Sequence, residues 1–160
     1  MYGRNDINIQ LIVLQYKIFY EFSMHLEKYN FVSDTSANCE YCNVEQNTVH
    51  TFYGCKVIKT FWLTLKSWMN QYINVSSEFK IEEIIFGICD NIPFNTITNF
   101  CILIGKFFIH ICNLDNKKPS LLDYIVSLKH YLEIEKQVYD KKGKSGKFSV
   151  FFGQLYNRKI

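Results

Sequence analysis

The sequence predicts a mainly α fold, a small helical domain in which a polar loop joins helices one and two. Three observations carry that prediction. Apolar residues recur at helical spacing over residues 7–29 and 56–72. Two prolines and seven glycines among 160 residues leave few points at which long regular elements must break. Ser120 followed by Asp123 is a helix-start signal ahead of another periodic run.

Taken in order, helix one covers residues 7–29, with Leu11, Leu14, Ile18, Phe22 and Leu26 on one face. Asn30 and the polar stretch 33–38 end it and lead into the loop. In helix two, Ile58, Phe61, Trp62, Leu65, Trp68, Met69 and Tyr72 form an aromatic-rich stripe opposite Lys56, Lys59, Lys66 and Asn70. Core packing is the expected role of that stripe. A polar connector (74–80) and a short apolar run (81–88) containing Gly87 follow. Pro93 is placed to start helix three, which runs to Cys112 and is apolar on more than one side. Residues 113–118 read as a loop. Helix four spans 121–139, with Glu133 and Lys136 at helical spacing. Lysines and glycines over 141–147 read as a flexible basic linker. The aromatic run 148–156 either docks back on the core or meets a partner. The expected organisation is a helical domain over residues 1–140, then a basic linker and aromatic tail over 141–160.

Composition excludes a disordered chain, since 48% of residues are hydrophobic and 17% aromatic. Net charge is only +3, but it is unevenly placed. Residues 117–160 carry ten Lys/Arg against four Asp/Glu, and residues 56–73 carry three lysines and no acid. The stretches 1–55 and 74–116 are each net acidic. Such asymmetry suits a polyanionic partner. The N-terminal residues lack the pattern of a secretory signal. Lys106 and His110 interrupt the apolar stretch 100–112, which is short for a membrane span. The expectation is an intracellular chain, cytoplasmic or nuclear, not secreted and with no membrane partner. Its thiols would be reduced, so clustered cysteines read as metal ligands rather than disulfides.

Such a cluster is present. Cys39, Cys42, His50 and Cys55 form a C-x2-C-x7-H-x4-C pattern. Two cysteines three residues apart let a tight turn present both sulfurs to one ion, and the excursion through 43–49 returns a histidine and a third cysteine. Three thiolates and an imidazole are a donor set that selects Zn²⁺. Four protein ligands leave no coordination position for water, so one structural ion is expected, in a zinc-pinned CCHC loop between helices one and two. Cys55 opens a periodic segment, where the positive end of a helix favours the thiolate. A redox role for the Cys39/Cys42 pair is less attractive, because no βαβ pattern surrounds it. Cys89, Cys101 and Cys112 sit in apolar company and read as small buried hydrophobes. Cys101 and Cys112 would lie about 16 Å apart along a helix, too far to share an ion. His110 reads as core packing, and His25 and His130 carry no functional expectation.

The run CEYCNVEQNTVHTFYGCKVIKTFWLTLKSWMN, residues 39–70, resembles the zinc-binding region at the C-terminal end of non-LTR (LINE-type) retrotransposon reverse transcriptases. Cys39, Cys42, Glu45, His50, Phe52, Cys55, Phe61 and Trp62 carry the likeness. It continues through 102–112 and 118–136 and more weakly into 144–152, with LQYKIF (14–19) similar to the helix before the loop. Thr51 replaces a leucine and Tyr53 a tryptophan of the family pattern. The resemblance implies a zinc knuckle (39–55) that helps hold RNA or DNA near a polymerase. It also implies an upstream reverse transcriptase domain as a partner. Tyr53, Lys56, Lys59, Lys66, Lys141, Lys142 and Lys144 are the candidate nucleic-acid contacts, acting mainly through phosphate charge. No Asp-Asp pair occurs in the sequence, so the paired-metal site of nucleotide transfer is missing. Neither a polymerase nor an endonuclease is expected from these residues. The expected function is therefore a non-catalytic nucleic-acid-binding module. The alternatives are a zinc-stabilised protein-interaction module and a non-functional retrotransposon remnant.

Overall fold

A computed structural model describes residues 12–18, 38–73, 79–88 and 93–157. Helical backbone covers 12–18 (α1), Lys56–Met69 (α2), Ile81–Phe86 (α3), Pro93–Leu114 (α4), Leu121–Lys141 (α5) and Ser145–Tyr156 (α6). A π-helical turn, His50–Gly54, runs directly into α2. Among the described residues the only β pairing is an isolated bridge between Asn38 and Glu45. The fold is mainly α, and the Cys/His loop lies between α1 and α2.

The core is an α4–α5–α6 body with α2 laid against it. On α2, Ile58, Phe61, Trp62, Leu65, Trp68 and Met69 are all buried, as their spacing predicts. Tyr72 falls just beyond the helix, in a turn that stacks it edge-on to Trp68 at 5.2 Å. Trp62 reaches α4 at Gly105, where a Cβ would come within 2.8 Å of the indole ring. Only glycine lets these two helices approach so closely. Phe61 meets Phe108 of α4 at 5.8 Å and Tyr124 of α5 at 5.6 Å, joining three helices at one aromatic node. The buried Tyr124 hydroxyl donates to the Cys101 carbonyl at 3.0 Å, so its polar end is satisfied.

Side chains at the helix ends set the turns. The Ser120 side chain accepts from the Asp123 amide at 3.2 Å and so caps α5 as expected. At the end of α4, Asn116 takes a left-handed φ of 52°, and the Lys117 amide returns to the Cys112 carbonyl at 2.8 Å. After α3, Gly87 has φ 83°, and the Asn99 side chain both accepts from and donates to the Ile88 backbone.

Residues 141–147 do not form the flexible linker their composition suggests. Lys141 ends α5, Gly143 adopts φ 65°, and the Lys144 amide bonds the Tyr139 carbonyl at 2.9 Å. This is a Schellman turn, and α6 starts at once. Phe148, Phe152 and Leu155, spaced four and three apart, bury one face of α6. Phe152 lies 5.1 Å from Phe100 and Phe148 5.9 Å from Tyr139, so the aromatic run docks back on α4 and α5. A glycine was read as flexibility where it supplies a left-handed helix stop.

Of the helix expected over 7–29, only 12–18 is described, where Leu14 and Ile18 are buried; Leu11, Phe22, Leu26 and His25 lie outside the described residues, as does Cys89. Among the described residues, one helix is long and apolar enough to cross a membrane by length and composition, Asn95–Leu114, with mean hydropathy 1.6. The apolar stretch is thus longer than residues 100–112 suggested. Packing in the fold accounts for much of it, since 56% of that window is buried.

Candidate metal centre

The C-x2-C end of the loop is built by backbone geometry. The Asn43 amide donates to the Cys39 carbonyl at 2.8 Å, and the Cys39 amide donates to the Val44 carbonyl at 2.8 Å. Asn43 closes this turn with φ 55°, a left-handed conformation that asparagine tolerates better than most residues. The chain thereby doubles back at the Asn38–Glu45 bridge and leaves Cys39 and Cys42 on one side.

The second half is a π turn. In an α-helix, His50 and Cys55 would point roughly 140° apart, five residues at 3.6 per turn. A wider π turn, closed by the Cys55 amide on the His50 carbonyl at 3.0 Å, reduces that separation. Asn47 starts it, its side-chain oxygen accepting from the His50 amide at 2.8 Å. Trp62 braces it from α2, donating from its indole to the Phe52 carbonyl at 2.8 Å. Cys55 then caps α2 in extended conformation; its sulfur forms no capping hydrogen bond, yet the Val57 and Ile58 amides near it favour the thiolate.

The four donor atoms of Cys39, Cys42, His50 and Cys55 lie within 4.8 Å of one another, close enough to bind one metal ion. The Cys39 and Cys55 sulfurs are 3.8 Å apart. A tetrahedral ion with metal–sulfur bonds near 2.3 Å separates its sulfurs by roughly 3.8 Å. Cys42 Sγ and His50 Nε2 are 3.2 Å apart, a hydrogen-bond distance slightly below the roughly 3.5 Å of a tetrahedral sulfur–nitrogen edge. The thiols are unpaired, and Cys39, Cys55 and His50 are buried while Cys42 is half-buried. This donor set fits zinc.

Electrostatics in the cluster point the same way. Burial opposes ionisation of Cys39, but contacts from His50, the Tyr41 amide, Cys42 and Cys55 outweigh it and bring its pKa to about 6. Burial pushes the Cys55 thiol up, and the neighbouring Cys39 adds to the rise. Without a cation, two sulfurs this close hold one negative charge between them. A dication removes that conflict and lets both ionise.

A cleft of about 200 Å³ borders the cluster, with Asn113 and Asn116 on its far wall. The turn after α4 is therefore a neighbour of the metal centre. Lys118 from the same turn places its ammonium 5.4 Å from the Tyr41 ring centre. Sequence reasoning passed over Asn43, Asn47 and Trp62 as parts of this centre. An asparagine directly after the second cysteine, and another three residues before the histidine, were the available signals. The brace from Trp62 was not recoverable from spacing.

Of the expected nucleic-acid contacts, Lys56 and Lys59 are exposed on α2 and Lys66 is half-buried. Tyr53, half-buried on the π turn, has the Lys59 ammonium 5.7 Å from its ring centre. Tyr53, Lys59 and Lys66 also line one cleft. Lys141, Lys142 and Lys144 are exposed around the α5–α6 turn. Cys101 and Cys112 are buried apart from the cluster, with burial pushing Cys101 up to about 12. His110 is half-buried on α4 and His130 exposed on α5, and neither belongs to the metal group. No protein-family model matches the chain, and no curated protein matches it.

Proposed function

We propose that the chain is a non-catalytic nucleic-acid-binding module stabilised by one structural Zn²⁺ on Cys39, Cys42, His50 and Cys55. The observation that carries this reading is the convergence of four zinc-type donors within 4.8 Å in a largely buried setting. A filled shell of four protein ligands leaves no site for water or substrate, so the ion's chemistry is structural. Binding it requires the thiolate forms and releases protons, which ties folding of the loop to the metal.

The nucleic-acid part rests on charge and on the sequence resemblance. Helix α2 carries Lys56, Lys59 and Lys66 with no acidic residue, directly after the last metal ligand. Lys141, Lys142 and Lys144 add a second exposed basic group. The motif and the following Phe61-Trp62 pair support an origin in the C-terminal region of a LINE-type reverse transcriptase, with polymerase chemistry residing in another domain. An intracellular setting follows from the need for reduced thiols.

Titration of zinc-loaded protein with single-stranded RNA or DNA against salt tests the reading. The logarithm of the affinity falls linearly with the logarithm of salt, by about 0.7 per phosphate neutralised. An affinity unchanged between about 50 and 200 mM salt overturns it. A protein-interaction module is the second reading. It is favoured by an apolar groove of about 380 Å³ between α4 and α5, lined in part by the exposed side chains of Ile111 and Val126. Co-purification of a protein partner together with absent nucleic-acid affinity would select it.

A further inference from the structure

The surface next to the metal centre carries a notch of about 240 Å³ between the π turn and α2. Tyr53, Lys59, Leu63 and Lys66 line it, with the buried Trp62 and Phe79 beneath them. Trp62 and Phe79 are buried and meet edge-on at 6.0 Å, so the floor is aromatic. Leu63 is 53% exposed and forms an apolar lip. None of the residues lining the notch is acidic. Two ammonium groups thus flank an aromatic-floored hollow smaller than the roughly 300–1,000 Å³ of ordinary small-molecule pockets.

We propose that this notch holds one unstacked nucleobase of a single-stranded nucleic acid, stacked on Tyr53, with Lys59 and Lys66 on the flanking phosphates. The inference rests on the nucleic-acid reading above and specifies which form is bound and where. A duplex offers its bases only at groove edges, and a base must leave its stack to enter a hollow of this kind. Single strands supply such bases, and every base has a π face, so the site is sequence-tolerant. In the free protein, Lys59 lies over the Tyr53 ring. A base taking that face releases the ammonium towards phosphate, and stacking on an aromatic ring outweighs an exposed cation–π contact.

Zinc-loaded full chain is titrated by fluorescence anisotropy with a short oligoadenylate, as RNA and as DNA, and with the corresponding duplexes. Tyr53→Ala weakens single-strand binding about ten-fold and leaves duplex binding unchanged, while Tyr53→Phe retains wild-type affinity. Leu63→Trp, a change at an exposed position that fills the hollow, produces the same selective loss without disturbing the π turn. Lys59→Gln lowers the salt slope by about 0.7. Metal stoichiometry and far-ultraviolet circular dichroism report folding of each variant. Equal losses on strand and duplex, or none with Leu63→Trp, overturn the notch. If Lys59→Gln still lowers the salt slope in that case, the nucleic-acid reading stands without it. No binding by the wild-type chain removes both.

Discussion

The knuckle at residues 38–55 and the α4–α5–α6 body solve the same problem with opposite means. In the body, α6 buries Phe148, Phe152 and Leu155 against Phe100 and Tyr139, and α4 buries Ile97, Ile102, Ile104 and Ile109. Apolar burial of this kind, worth about 1.5–3 kcal/mol per large side chain, needs no cofactor. In the knuckle, the excursion 43–47 is exposed throughout, and its asparagines, glutamate and glutamine bury nothing. Its buried members are chiefly the ligands Cys39, His50 and Cys55, with Phe52 as the apolar anchor. One region is held by surface removed from water; the other gathers four metal-type donors and little apolar surface, so on the proposed reading a coordination shell would hold it. They meet at Trp62, whose ring packs on Gly105 while its indole N–H holds the π turn.

The sharpest way to break this contrast is to remove one ligand. Cys42→Ser is expected to abolish stoichiometric zinc binding, since zinc binding by small CCHC-type peptides is worth about 10–16 kcal/mol. Hydrogen exchange should then show amides 38–55 losing protection while those of α4, α5 and α6 keep it. A chelator should do the same to the wild type. Collapse of protection across α4–α6 would mean that the two regions are one cooperative unit.

The complementary substitution lies in the body. Phe152→Ala empties a site surrounded by Phe100, Tyr139, Phe148 and Phe151. It should cost about 3–5 kcal/mol in urea unfolding, as large-to-small aromatic changes do. Zinc content measured on the folded variant should stay at one equivalent. A fall in metal content would show that coordination depends on packing in the α4–α5–α6 body.

Legibility in the sequence followed the same division. Period and capping carried α2, α4 and α5, because an amphipathic stripe and a Ser120–Asp123 start are local signals. The ligand set was legible because coordination demands residue types at narrow spacing. What connects regions was not. Gly105 reads as one glycine in an apolar run, and only the approach of Trp62 gives it meaning. Gly143 was misread because a left-handed helix stop and a flexible linker share a composition. The five-residue step from His50 to Cys55 was compatible with metal binding, but nothing in it announced a π turn.

Lys106 gives the finest test of how the body treats a polar group without a metal. It sits on α4 with 3% exposure, donating to Gln15 of α1 and to the Ile85 carbonyl of α3 at 3.3 Å. Gln15 donates to the same carbonyl at 2.8 Å, so the amine is satisfied by neutral partners. Burial lowers its pKa from 10.5 to about 8. The folded chain therefore disfavours the charged form. That penalty is complete below pH 8 and is relieved as pH rises towards 10.5, so the lysine's contribution to stability increases across that window. At about 1.4 kcal/mol per pH unit over this window, the full change is at most roughly 3–4 kcal/mol. Cys101, pushed up to about 12, works in the opposite direction at high pH and calls for a reference protein that shares it. Lys106→Met supplies one. The unfolding free energy of the wild type minus that of the variant should be flat below pH 7 and climb between pH 8 and 10.5. A flat difference throughout would mean that water reaches the amine, and that the junction of α1, α3 and α4 opens more readily than its packing implies.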